Sequence, residues 1–207
     1  SPMGVVKLST AGIRNYSKAT DFLVGNVPFS PIPPSAFDLL ETTTLGSNAA
    51  SVTFTSLGSY SDYKHLQIRG VIKVNASTGF PGIRFNGVTA SGNYKAHRLV
   101  GLGSNTANSE TDNNTNEIRL NRVSGTEQSA SEYTPVVWDI LDFNNSSKNT
   151  TVRSFHGYSG SNSDYYVQLG SGVFLSTAAI TSVAIGTSYG ENLKAGVRLS
   201  LYGIKGA

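Results

Sequence analysis

Asp139 and Asp142 flank Ile140 and Leu141 in a stretch otherwise rich in apolar residues. A pair of carboxylates is what glycoside hydrolysis requires, one acting as acid and the other as base or nucleophile. Side chains alternate along an extended strand, so residues three apart point to opposite faces and cannot flank one bond. One carboxylate is expected to face solvent, the other to accept hydrogen bonds at the strand end. The three histidines, His65, His97 and His156, have no helix-type ligand spacing and read as surface or partly packed imidazoles, not metal ligands. With no cysteine in the chain, neither a disulfide framework nor a thiolate zinc site can form. No Gly-x-Ser-x-Gly elbow is present and no glycine-rich phosphate loop opens a helix; Gly101-Leu102-Gly103 precedes a polar stretch and reads as a turn. The expectation is a protein without catalytic residues, metal or cofactor.

What remains for function is surface. Tyr60, Tyr63, Tyr94, Tyr133, Tyr158, Tyr165, Tyr166 and Tyr189 fall at or near expected loop boundaries, where their rings could stack on sugars or pack on a protein partner. Tyr165 and Tyr166 are the candidates for glycan contact. Trp138, the only tryptophan, is in phase with Val136 and Ile140 and reads as core.

These side chains are positioned by strands. The 207 residues include 22 glycines, only 14% are charged, and the aromatics are mostly Tyr and Phe, which favours short strands joined by turns. Alternation places strands near residues 37–45, 51–57, 64–74, 83–86, 94–102, 117–123, 133–143, 150–158, 165–175, 180–186 and 195–204. In residues 64–74, Leu66, Ile68, Ile72 and Val74 share one face, and His65, Gln67, Arg69 and Lys73 share the wet one. The last strand carries Val197, Leu199 and Leu201 on its apolar side and must pair with strands laid down much earlier. Residues 103–115 hold almost nothing apolar and read as an exposed loop. The fold class expected is all-β, a jelly-roll-like antiparallel β-sandwich over residues 36–207. Residues 1–35 differ: a short helix is expected near residues 18–24, followed by Pro28, Pro31, Pro33 and Pro34, which favour an extended arm. Phe22, Leu23, Val24, Phe29 and Ile32 are the arm's candidate interface residues, since an isolated arm has nowhere to bury them. The 16 basic and 13 acidic residues are dispersed, giving +3 overall, and no apolar run approaches the roughly 20 residues that span a bilayer. Neither nucleic acid nor membrane is an expected partner.

Several phrases carry a resemblance. The stretches Leu39-Leu40-Glu41-Thr42-Thr43-Thr44-Leu45-Gly46-Ser47, Tyr63-Lys64-His65-Leu66-Gln67-Ile68-Arg69-Gly70 and Gly196-Val197-Arg198-Leu199-Ser200-Leu201-Tyr202-Gly203-Ile204-Lys205 are similar to segments of structural proteins of tailed bacteriophages. Asn93-Tyr94 and residues 138–142 have counterparts there too, so the resemblance covers most of residues 36–207. It implies a virion protein, made in the host cytoplasm and placed on the outer surface of the particle. The job it implies is capsid decoration (cement), with the major capsid protein and neighbouring copies of the chain, arranged as a trimer, as partners. The alternative is a tail-fibre or receptor-binding domain that recognises host cell-surface glycan.

Overall fold

The computed structural model describes residues 36–120, 122–160 and 165–206. The expected arm over residues 1–35, with its helix and its apolar side chains, lies outside the described residues. The rest is all-β. Fourteen strands follow in order: β1 (Phe37–Thr44), β2 (Ser51–Phe54), β3 (His65–Ile72), β4 (Thr78–Gly79), β5 (Pro81–Phe85), β6 (Tyr94–Leu102), β7 (Ala107–Thr115), β8 (Ile118–Arg119), β9 (Val123–Ser124), β10 (Thr134–Leu141), β11 (Thr150–Ser159), β12 (Tyr165–Phe174), β13 (Val183–Thr187) and β14 (Arg198–Ile204). A 3-10 turn at Leu57–Tyr60 is the one helical element among the described residues.

The strands form an eight-stranded sheet ordered β1-β14-β3-β10-β11-β12-β6-β7, a four-stranded sheet ordered β2-β13-β5-β8 and a two-stranded ribbon of β4 and β9. All pairings are antiparallel. The last strand closes the large sheet as its alternation requires: β14 lies between β1 and β3, with Leu199 opposite Gly70 and Leu201 opposite Ile68. Gly70 is needed there, because a Cβ at that position would run into the Arg198 carbonyl.

Both larger sheets feed one buried cluster, in which Leu66, Ile68, Val136, Trp138, Ile140, Leu199 and Leu201 meet Val52, Phe54, Ile83, Phe85, Val183 and Ile185. Trp138 is the largest fully buried side chain, in phase with Val136 and Ile140 as its strand alternation demands. Each such side chain contributes about 1.5–3 kcal/mol by leaving water. Tyr94, at the loop boundary where β6 begins, points into this core: its ring stacks on Phe174 at 4.9 Å, and its hydroxyl donates to the Val88 carbonyl and accepts from the Phe85 amide. That pairing makes a buried tyrosine affordable.

Three expectations are corrected. Residues 107–115 are a strand, β7, at the edge of the large sheet. Its alternation is written in polar groups, with Glu110 and Asp112 reaching the nearly buried Arg98 while Ser109 and Thr111 take the other side. Lys73 is fully buried, because its position lies just past the end of β3 and the alternation no longer holds. Its ammonium donates to the carbonyls of Ser129 (2.7 Å) and Glu132 (3.0 Å), tying down the loop before β10, and burial, reinforced by Lys194, lowers its pKa. The single strand expected over residues 117–123 is instead β8, followed by the start of β9, and the two belong to different sheets.

Candidate association surface

On β12 the usual arrangement of a strand is inverted. Gln168 and Gly170 face inward and are buried, while Tyr165, Val167 and Leu169 point out. The neighbours follow suit: β11 turns Ser154 and His156 in and Phe155 out, and β6 turns Arg98 in and Leu99 out. Register brings the outward residues into line, with Val137 opposite Phe155, Phe155 opposite Leu169 and Leu169 opposite Leu99. Leu99, Phe155 and Leu169 are 56%, 55% and 53% exposed, and Val167, one row along, is 50% exposed. Among the described residues, eight of the ten exposed large hydrophobics (Phe37, Leu39, Leu99, Leu141, Phe155, Tyr165, Val167 and Leu169) lie on strands of this one sheet. Scattered apolar residues need no explanation, but a contiguous set on one sheet does.

The interior beneath the row is polar. Arg98 is held by Glu110 and Asp112. Burial pushes the pKa of His156 down to about 4, with the Arg98 charge acting in the same direction and a hydrogen bond to the Arg122 backbone against it. Arg122 also reaches the Tyr166 hydroxyl at 2.9 Å and lies over the ring. Where β11 and β12 cross this row, the apolar side chains therefore face solvent and the polar ones face in, while β10 and β6 also bury Val136, Trp138, Ala96 and Val100.

The next row reads Gly157, Val167, Gly101 across β11, β12 and β6, with Pro135 of β10 beside Gly157, one step past the last register pair Val136 with His156. A groove of about 710 Å3 opens beside this row, bordered by Tyr133, Pro135, Val137, Phe155 and Val167; Gly157 lies on its floor, where a Cβ would run into the Tyr166 carbonyl. On the other flank lie Asp139, Arg153, Ser171 and His97.

The sequence-derived candidates fall as follows. Tyr165 and Tyr166 do not share a face: Tyr165 points out, whereas Tyr166 stacks on Tyr158 with ring centroids 5.6 Å apart. Adjacent strand residues cannot form one platform. Asp139 lies on the outer side of β10, bound by Arg153 (2.7 Å) and by Gln67. Asp142 follows β10 in a left-handed conformation (φ 52°), its amide donating to His65 Nδ1 at 2.9 Å. Its carboxylate is bound by Lys148, which lowers its pKa. Both carboxylates thus serve as ion-pair partners. Gly101 lies within β6, not in a turn. The fully buried Glu117, for which no role was expected, binds Arg84 at 2.6 Å and Ser188, joining β5 to the segment after β13. No group of three or more metal-ligating side chains gathers among the described residues.

The inverted strands were not legible as such, since a period of two marks a strand without saying which side is inside. A weak signal was present in β12, where Gln168, Gly170 and Gly172 offer little to bury beside Val167 and Leu169. No protein-family model and no curated protein matches the chain.

Proposed function

We propose that the chain is a structural component of a tailed-bacteriophage particle and acts by association, not catalysis, as a capsid decoration (cement) protein on the outer shell. The observation that supports this reading is the outward apolar row Val137, Phe155, Leu169, Leu99, whose two central strands turn Ser154, His156 and Gln168 inward. A strand that spends its hydrophobic residues on the solvent side gains from them only when that side is covered. The phage setting comes from the sequence resemblance, as does a jelly-roll-like connection of the sheets. In this reading the partners are the major capsid protein and other copies of the chain. Residues 1–35, through Phe22, Leu23, Val24, Phe29 and Ile32, supply contact area on neighbouring subunits. The test is the copy number of the chain in purified particles, measured by quantitative mass spectrometry. A number comparable with the major capsid protein is expected; a number matching tail symmetry, or absence, would overturn decoration.

A second reading, a tail-fibre or receptor-binding domain for host cell-surface glycan, draws on the groove at Gly157, where the exposed Phe155 offers ring surface. It predicts hits on a glycan array that are lost in Phe155→Ala. An array without hits disposes of it.

A further inference from the structure

We infer that the outer face of β10-β11-β12-β6 is covered by the same face of a second copy, the two related by a twofold axis parallel to the strands and running between β11 and β12. This names the occupant of the surface on which the proposed function rests.

A twofold in that position keeps each residue row in place and reverses the strand order, so that β11 lies over β12 and β10 over β6 of the other copy. An isologous contact of this kind requires residue i to suit residue j and j to suit i. The central row meets the requirement: Phe155 lies over Leu169 of the second copy and Val137 over its Leu99, all apolar. In the next row Val167, half exposed, lies over Gly157 of the second copy, on the floor of the groove. Pro135 lies over Gly101, which Val167 of its own chain already covers, so that the contact there is again apolar. The flanking row sets Asp139 over His97 and Arg153 over Ser171. Arg69, opposite Val137 on β3, lies over Ser109, opposite Leu99 on β7. No cation meets a cation in these rows. Stacked sheets pack about 10 Å apart with strands within about 30° of parallel, which this axis permits.

Area agrees. The four strands present roughly 19 Å by 30 Å in projection, and side-chain relief carries the accessible area toward the ~800 Å2 that each partner buries in a standard interface. A shell protein would have to match the apolar row and the groove beside it, whereas this face already matches itself.

The test uses the full 207-residue chain. Light scattering after gel filtration, at up to roughly 100 μM so that micromolar affinity is seen, is expected to give twice the chain mass. Phe155→Ser/Leu169→Ser, at two exposed positions, is expected to give a monomer with unchanged circular dichroism. Should that variant fail to fold, a second one decides. The chain lacks cysteine, so Val137→Cys/Leu99→Cys carries the only two thiols. These lie three strands apart in one chain, roughly 14 Å, but face each other between copies. A short bis-maleimide is expected to join two chains; purely intrachain reaction or none overturns the inference. So does a monomeric wild type, a trimer, or a dimer indifferent to Phe155→Ser/Leu169→Ser. A monomeric chain whose attachment to particles is lost in that double variant would put the shell protein on this face and leave the proposed function standing. A dimer absent from particles would do the reverse.

Discussion

Burial of His156 couples folding to pH. Its pKa is about 4 in the folded protein against 6.5 for a free imidazole, so between those values the unfolded chain binds a proton that the native state refuses. Stability from this group is therefore complete above pH 6.5, declines as pH falls, and levels off below about 4, for a total of about 3 kcal/mol. Urea unfolding followed by Trp138 fluorescence at pH 7.5, 5.5 and 4.2 should show the midpoint dropping. In His156→Leu the drop over that window should largely vanish; an undiminished drop would place the coupling elsewhere. Asp142 does not confuse the test. Lys148 lowers its pKa, so its stabilisation is present above 3.8 and is lost only below the window. None of this was visible in the sequence, where His156 is one imidazole among turn and strand residues; its burial depends on β11 turning its polar side inward.

At the scale of elements, β7 depends on a few charges. It is an edge strand with hydrogen bonds on one side only, and its inward face is fixed by Glu110 and Asp112 on Arg98. Asp112→Ala leaves the nearly buried guanidinium with one carboxylate partner and should cost about 2 kcal/mol. The loss should appear as faster amide exchange confined to β7 and the adjoining part of β6; uniform acceleration across the sheet would contradict this assignment. Gly70→Ala acts on the strand pair instead. Its Cβ would enter the Arg198 carbonyl, so β14 must shift away from β3, and roughly 4 kcal/mol or loss of soluble protein is expected. A melting temperature within a few degrees of wild type would show that the strands separate easily. The elements also show where reading by alternation succeeds. β3, β10 and β14 bury β-branched, leucine and tryptophan side chains on one face, and their positions and inward residues were legible, although each expected strand ran one to three residues past an observed end. β7 was not, because its inward side is satisfied by ion pairs and carries no apolar mark. The division into sheets of eight, four and two strands was not legible either, since it depends on pairings as distant as Phe37 with Ile204. The apolar residues of β11, β12 and β6 were seen, but not the side they face.

For the whole molecule, the proposed function separates two kinds of contact, and they should fail independently. The described core runs from Val52 to Leu201, and the strands of all three described sheets lie within residues 36–206. Deleting residues 1–35 should therefore leave a folded domain, with Trp138 still buried and its emission still shifted to short wavelength. Because the paired rows lie on β6, β10, β11 and β12, the deletion should also leave the chain dimeric. What it should remove is attachment: the truncated protein, mixed with particles from which the native chain has been stripped, should rebind at least tenfold more weakly. Phe155→Ser/Leu169→Ser should invert the pattern, giving a monomer that keeps residues 1–35 and binds particles at reduced avidity, because two linked attachment points have become one. Normal rebinding by the deletion variant would remove residues 1–35 from the attachment mechanism. Equal loss in both variants, with both folded, would mean that the sheet face and the terminal segment act on the same partner.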